Sequence, residues 1–375
     1  MVVVAPVPAL TVQLLREWPP GYGGIERVAH QLAAVWRGTV FSLDAQPHLR
    51  DQLDALPVNY PRRILPRFAI GRLLIPWPSK ALLSLLNSAE PLHGHLPSPG
   101  VLLILVLARL MRPHRRVTAH WHCFLELSPG FNGRLFGVYQ RLALFLVAHL
   151  SGVVTTSPLL AEELDRCGCQ RQRVHVLPCC LSAEQEINAL ALPLRHDDFV
   201  PPLRLVFIGR LESYKRLDWL LQSLATLNDL WTLDVVGDGP LRAGFEEFAK
   251  QLFGCEAPVK FHGRLDERDK LTCLAGSDLL VLPSDRSTEA FGIVQLEAMA
   301  AGIPALAFQR PRSGMGWVGQ LPGLVWSQQP EDLAKVLQRF VLEPSLRAQL
   351  ACQARQRYKM LFVRKVWRRQ LDCLF

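Results

Sequence analysis

The stretch TEAFGIVQLEAMAAG at 288–302 sets two carboxylates, Glu289 and Glu297, eight residues apart around a Phe-Gly step in a nearly apolar run. With a helix starting near Gly292, Glu289 falls in the loop before it and Glu297 more than one turn inside, so the two acids do not share a face as an i,i+4 pair would. No cation stands within the run, and burying an isolated carboxylate is costly. Hydroxyl pairs of a ribose or another sugar would satisfy such acids. The plainer reading makes Glu289 an acid favoured by a helix N-terminus and Glu297 a solvent-facing residue of an amphipathic helix. Arg210 and Lys215 flank a turn after a strand-like run. A guanidinium fork and a mobile ammonium suit diphosphate oxygens, although exposed basic residues at strand ends are common. Arg216 is expected to be a solvated neighbour. Gly23 and Gly24 precede a helical pattern, where backbone N–H groups can approach a phosphate; a tight turn alone would need the same glycines. His95, His120 and His122 are the histidine candidates of the first half. A strand-end histidine can position a hydroxyl or manage charge near neutral pH, whereas a core histidine satisfied by backbone is the commoner case. No HExxH or DxD surrounds them, so no metal is expected.

These residues need elements to hold them. In the first half, VVVAP (2–6) reads as a strand, followed by a Gly-rich turn and a helix over IERVAHQLAAVW (25–36). VTAHW (117–121) and GVVTTS (152–157) read as short strands, LLAEEL (159–164) as a helix after Ser157-Pro158, and RVHVLP (173–178) closes this half. Residues 38–80 are proline-rich and show no clear period. The second half alternates regularly: strands at 203–209, 231–237, 259–263, 278–284 and 304–308, with helices at 215–227, 239–252, 266–276 and 293–302. Such alternation implies βαβ units and a mostly parallel sheet, whose ligands bind beyond the carboxyl ends of the strands. The singled-out residues all sit at that edge.

At 375 residues, two domains are expected. The apolar fraction of 49% and the lack of low-complexity tracts argue against disorder. A formal net charge of +9 suits an acidic partner. Nine cysteines without a zinc-knuckle spacing fit a reducing cytosol, and the apolar N-terminus lacks the basic region of a secretory signal. VLLILVLARLM (101–111) and LALFLVAHLSGVV (142–154) are too short to span a bilayer and read as buried elements. The stretch 61–86 mixes basic residues with Ile, Leu, Phe and Trp, as a surface for an anionic bilayer would. Packing of those apolar residues into the first domain is the competing reading.

FIGRLESYKRLDWLL, VVGDGPL, VKFHGRLDERDKLTCLAGSDLLVLPS and TEAFGIVQLEAMAAGIP, with GYGGIERVAHQLA, HLPSPG and VTAHWHCF upstream, resemble the retaining GT-B glycosyltransferases of family 4, group 1, on a mannosyltransferase-like branch. The resemblance spans nearly the whole chain and includes that family's E-x7-E signature. It implies an α/β GT-B fold of two Rossmann-like domains facing a cleft: an acceptor-side domain (1–180), a linker (181–202), a nucleotide-sugar domain (203–344), and a helical tail (345–375) crossing back to the first domain. It implies transfer from a nucleoside diphospho-sugar, GDP-mannose slightly favoured, to a saccharide or lipid-linked saccharide with retention, without metal or cofactor. Gly23 and Gly24 would approach the distal phosphate or sugar, Arg210 and Lys215 would clamp the diphosphate, and Glu289 would bind the donor sugar. Backbone at Ala290, Phe291 and Gly292 would hold sugar and phosphate, and Glu297 the ribose. The family's Trp-His step matches Trp121-His122, with His120 the alternative catalytic histidine. The setting would be cytoplasmic, peripheral at the inner membrane face. Cys179-Cys180 replaces the family's usual Gly-Ile/Val-Asp turn, which leaves a sugar-nucleotide binder without turnover as a second reading. A basic nucleic-acid or membrane-binding protein is a third, resting on the basic tail and its Tyr358, Phe362 and Trp367.

Overall fold

The computed structural model describes residues 10–374 other than 22, 128–129, 195–201, 228–230, 255, 257, 325 and 327–328. The strand expected at 2–6 and most of the Asp-Asp-Phe-Val-Pro-Pro stretch lie outside these. The chain divides into two compact units, Met1–Cys179 with Arg368–Phe375, and Cys180–Trp367.

In the first unit the strands are β1 (Val12–Leu15), β2 (Val40–Ser42), β3 (Arg62–Ile64), β4 (Arg67–Ile70), β5 (Leu73–Pro76), β6 (Leu92–Leu96), β7 (Val117–Trp121), β8 (Gly152–Thr155) and β9 (Val174–Val176). Its helices are α1 (Gly24–Trp36), α2 (Arg50–Asp54), α3 (Lys80–Asn87), α4 (Pro99–Met111), α5 (Phe131–Val147) and α6 (Pro158–Arg166). Among the described residues the main sheet runs β3-β2-β1-β6-β7-β8-β9. Each adjacent pair in it is parallel. The chain adds strands on one side of β1 and then on the other, which makes β1/β6 the switch point where such sheets bind ligands. β1 was not anticipated, because four residues broken by Gln13 give a weak signal; it nonetheless leads directly into the glycine turn before α1.

In the second unit, α7 (Ala183–Ala191) comes first, then β10 (Leu203–Ile208), α8 (Leu217–Leu224), β11 (Trp231–Val236), α9 (Arg242–Phe253), β12 (Val259–Gly263), α10 (Glu267–Ala275) and β13 (Leu279–Leu282). There follow α11 (Val294–Ala300), β14 (Ala305–Ala307), α12 (Met315–Val318), α13 (Asp332–Leu342), α14 (Pro344–Leu361) and α15 (Arg364–Asp372), the last running on past this unit. The sheet order is β12-β11-β10-β13-β14, again parallel, with its switch at β10/β13. Leu205, Phe207, Leu233, Val235, Leu280 and Leu282 are buried, and the strands read as near-continuous apolar runs because both faces are covered. These are two Rossmann-like domains.

Three expectations change. The tail is two helices rather than one, broken at Phe362, which is fully buried. Its basic residues are tied down in part. Arg355 donates to Leu192 O, Arg357 to Val318 O and Arg364 to Leu181 O, while Tyr358, Phe362 and Trp367 are buried. Those aromatics therefore offer no stacking platform for nucleic acid. Within the segment expected to be a linker, Ser182 caps α7 through a reciprocal capping box with Gln185, directly after the buried Cys179-Cys180 turn. The unusual cysteines thus sit at an ordered helix start. Finally, the two long apolar runs are not wholly buried: Leu103, Leu110 and Met111 of α4 and Leu142 and Phe145 of α5 are exposed. The antiparallel β4/β5 hairpin likewise exposes Phe68, Ile70 and Leu73, with Trp77 just beyond it 60% exposed, beside exposed Arg72 and Lys80. Among the described residues no helix is long and apolar enough to cross a membrane.

Tyr358 joins the tail to α7: its hydroxyl donates to Glu186 Oε2 at 2.7 Å, and the Arg364 backbone N–H donates to the same oxygen at 2.8 Å. Tyr358→Phe removes one of these bonds to a half-buried carboxyl group, so it is expected to cost about 1–2 kcal/mol in chemical denaturation with an unchanged m-value.

Candidate functional site

In the second unit every singled-out residue falls at the carboxyl edge of the sheet. β10 leads into Gly209 and Arg210, and Lys215 closes a short 3₁₀ turn, Ser213–Lys215. The backbone here is close-packed. Gly237 after β11 has φ +135°, and a Cβ there would lie 1.9 Å from Gly209 O, so only glycine lets these two strand ends meet. The Leu211 amide donates to Asp238 O at 3.0 Å.

Lys215 forms an ion pair with Glu289, which comes from the loop after β13. The pair therefore bridges the switch point. Burial works to lower the lysine pKa, but the Glu289 carboxylate, with Tyr214 and Glu212, outweighs it and holds the ammonium above its usual range. Arg210 is different: it is 66% exposed and pairs with Glu212 at 2.8 Å, a surface contact that a phosphate can displace at little cost. Arg216 is not the solvated neighbour expected. At φ +51° it pairs with Asp218 (2.8 Å) and Asp285 (3.4 Å) and lies 4.2 Å over the Trp219 ring. It thereby ties the Lys215 turn to the β13 loop.

The loop Glu289–Gly292 is pinned through its backbone. Ser313 Oγ donates to Glu289 O (2.6 Å), the Gly314 amide to Ala290 O (2.8 Å), and Gln295 Nε2 to Phe291 O (2.8 Å). Gly292, at φ +69°, makes the turn into α11. Glu297 is only 5% exposed, which rules out a solvent-facing role. Lys270 Nζ, on α10, stands 2.8 Å from its Oε2. Lys270 was missed, yet it occupies the position four before buried Leu274 on the same helix, where a core residue would be expected. A lysine on an apolar face was the available signal.

In the first unit, His122 follows β7 and Gly23-Gly24 stand at the start of α1, both at the carboxyl edge of the sheet. Gly23 is the N-cap of α1, and Glu26, three residues on, folds back so that its Oε2 occupies the space a Cβ at Gly23 would need. Burial, then the neighbouring Glu17, push the Glu26 carboxyl up to about 7, against a backbone hydrogen bond and Arg16.

The histidines form a layer. His93 and His95 on β6 and His120 on β7 pack with His122 under α1, where Trp36 meets the His93 ring edge-on at 5.2 Å. The His120 and His122 rings stack at 4.1 Å. All four are nearly inaccessible; His120 has no exposed surface and His122 6%. Their ring partners are mainly one another and other side chains rather than backbone, and among the described residues His120 Nε2 has no hydrogen-bond partner. His93 Nδ1 meets Thr118 Oγ1 at 2.8 Å, His95 Nδ1 meets His122 Nε2 at 2.8 Å, and His95 Nε2 meets Gln13 Oε1 at 2.9 Å. Burial above all lowers their pKa values: His120 to about 3, the others well below their ordinary range. The expectation that a histidine here manages charge near neutral pH is therefore corrected: these imidazoles are neutral and act as hydrogen-bonding groups.

Among the described residues two groups carry ligand-type atoms close together, His93/His95/His120 and Asp234/His262/Cys273. Both ring nitrogens of His93 and of His95 already face protein partners. His262 is held by Asp234 at 2.6 Å, and burial pushes the Cys273 thiol up to about 11, away from thiolate. Neither is a preorganised ligand set. A cavity of about 70 Å³ beside Ala275, Asp278 and Ile303 lies at the opposite, amino edge of the second sheet and is too small for a nucleoside diphosphate.

Comparison with known proteins bears on these edges. The family described as glycosyl transferases group 1 matches residues 197–357, and Glycosyltransferase Family 4 matches residues 22–185. A D-rhamnosyltransferase of Pseudomonas aeruginosa is 25% identical over 76% of this chain and 72% of its own. An O-antigen chain mannosyltransferase of Escherichia coli is 25% identical over 77% and 76%. A GDP-mannose-dependent mannosyltransferase of Mycobacterium tuberculosis acting on phosphatidylinositol dimannoside is 29% identical over 52% and 51%. Among solved structures, Anabaena HepE in complex with UDP superposes with a TM-score of 0.70 at 19% identity, covering 96% of this chain and 98% of that one.

Two predictions concern pH. The four histidines titrate near 6.5 when unfolded and far lower when folded, so the unfolded chain binds more protons below about pH 6.5 and stability is lost as pH falls. Glu26 acts oppositely: the folded state binds its proton more tightly between 4.5 and about 7, so its contribution is lost as pH rises through that window. Thermal melts from pH 5 to 8 should show a net acid loss for the wild type. Glu26→Gln should steepen it, and a His93→Gln, His120→Gln double variant should flatten it. Separately, Lys270→Met strands the buried Glu297 carboxylate and is expected to cost about 3–5 kcal/mol.

With both halves matched and the fold shared along almost the whole chain, this protein belongs to the group 1 GT-B glycosyltransferases.

Proposed function

We propose that this glycosyltransferase moves a hexose from a nucleoside diphospho-sugar to a saccharide or lipid-linked saccharide with retention, GDP-mannose being the favoured donor. The carrying observation is the Lys215–Glu289 pair at the β10/β13 switch, with the pinned Glu289–Gly292 loop beside it. An ammonium next to a carboxylate matches a donor whose diphosphate and sugar hydroxyls lie side by side. In this reading Arg210 and Lys215 hold the diphosphate, Arg210 leaving Glu212 to do so. Glu289 accepts from sugar hydroxyls, and backbone at Ala290, Phe291 and Gly292 borders sugar and phosphate. Glu297, paired with Lys270, accepts from the ribose. Gly23 and Gly24 offer backbone donors on the acceptor side, and His122 meets the reacting sugar. No protein nucleophile is assigned, so front-face departure stabilised by the basic pair is the step proposed. The mannosyltransferase relatives support the mannose preference, and the UDP bound by HepE supports a nucleotide donor.

We assign the exposed β4/β5 hairpin, with Phe68, Ile70, Trp77, Arg72 and Lys80, to reversible contact with an anionic membrane, in a cytoplasmic setting. Flotation with anionic liposomes should fall with salt and be absent with neutral ones; equal soluble recovery under all conditions would end this assignment.

Incubation with GDP-, UDP- and ADP-sugars, with the product's anomeric configuration read by NMR, tests the activity. Replacing Arg210 and Lys215 together by Ala is expected to lower kcat/KM by about 10²-fold or more; a value within about twofold of wild type would remove the clamp. Glu297→Gln should weaken nucleoside diphosphate binding, while Glu289→Gln should spare it and lower turnover. The reverse pattern would exchange their roles.

A further inference from the structure

A chain of oriented groups runs through the buried polar layer of the first unit, from α1 across β1 and β6 to His122. It begins with a carbonyl that can only accept. Gln13 Nε2 donates to Ala29 O at 3.3 Å, which fixes the amide orientation and leaves Gln13 Oε1 as an acceptor. His95 Nε2 lies 2.9 Å from that oxygen and must carry its proton there. His95 is 2% exposed, and burial, followed by the neighbouring imidazoles, keeps it neutral. A neutral imidazole has one N–H, so His95 Nδ1 is an acceptor. His122 Nε2, 2.8 Å away, must then be the donor. Being neutral too, His122 is left with an unprotonated Nδ1, and among the described residues nothing bonds that atom.

We infer that Gln13 and His95 are positioning residues that lock His122 in its Nε2–H tautomer, so that Nδ1 presents a lone pair to a substrate hydroxyl. The use of that lone pair rests on the proposed role of His122; the tautomer itself does not. The relay gives a strand-end imidazole a defined polarity without charging it. A glutamine in the middle of a fully buried strand, VQLL, otherwise has no place among its apolar neighbours. Its side chain is worth burying because both ends are bonded.

The test is ¹⁵N spectroscopy of histidine-labelled full-length protein, with His122→Asn to assign the ring. Wild type should show a protonated Nε2 and a pyridine-like Nδ1 at His122. In Gln13→Leu and in His95→Phe the Nδ1–H form should rise from a trace to a comparable population. Thr118→Val, which touches His93 in the same layer but not the relay, should leave His122 unchanged. For Gln13→Leu, kcat should drop about tenfold or more with donor KM within about twofold, the split expected when a positioned hydrogen bond is lost from the reacting complex. A wild-type His122 protonated at Nδ1 overturns the proposal, even if no variant folds. So does a tautomer unmoved in folded Gln13→Leu and His95→Phe. The expected spectra with full activity in His122→Ala would keep the relay and remove the functional role of His122 instead.

Discussion

The Lys215–Glu289 ion pair joins the loops leaving β10 and β13, the neighbouring strands at which the second sheet changes its direction of growth. At a switch point the crossover connections diverge to either side, and the crevice between them exposes backbone and charge that no helix covers. A largely enclosed ammonium and carboxylate stay there because each stabilises the other; removing either leaves a partly desolvated charge without its partner. Much of the surrounding detail serves this pair. Arg216 fastens the Lys215 turn to the β13 loop through Asp285, and Ser313 and Gly314 fix the Glu289–Gly292 backbone. Gly237 lets the adjacent strand end approach to backbone contact.

Glu297 extends the same logic one helix further. Its carboxylate is buried within α11, yet Lys270 from α10 supplies a cation at 2.8 Å. Two acids that are eight residues apart in sequence therefore have separate lysines from separate elements. An ammonium beside each carboxylate offsets the cost of holding that acid away from water.

The second unit was largely legible in its sequence. Buried parallel strands are nearly continuous apolar runs, and LRLVFI, WTLDVV and LLVL stand out between helical periods, with the half-exposed edge strand VKFHG beside them. Glu289, Glu297, Arg210 and Lys215 stood out as charges beside such runs, and the structure pairs Lys215 with Glu289 across the β10/β13 switch. Lys270, the partner of Glu297, did not stand out, since its only mark in the sequence is a lysine on the apolar face of α10. The first unit was harder. β2 and β3 have three residues each, β1 is interrupted by Gln13, and β4/β5 form a hairpin with exposed apolar side chains, so none has a usable period. The histidines were noticed singly, as strand-end groups. That they form one layer depends on the β6/β7 register, His95 opposite His120, which a sequence does not print. The kink at Phe362 has a similar origin: tertiary burial of one aromatic, not a proline or glycine, ends α14.

Both sheets place polar groups at a switch point, but they keep them there by different physics. In the second unit the groups are ionised and paired, so their energies are coulombic and a bound anion can exchange for a carboxylate partner. In the first, burial has stripped the imidazoles of charge, and what remains is the direction of each hydrogen bond. Direction propagates where charge would be screened or would demand a counterion: one backbone carbonyl on α1 sets an amide, the amide sets one imidazole, and that imidazole sets the next. A neutral relay of this kind holds its polarity across the pH range where free histidine changes charge. It fails only when the layer is opened to water, which ties the acid stability of the first unit and the state of His122 to the same buried contacts.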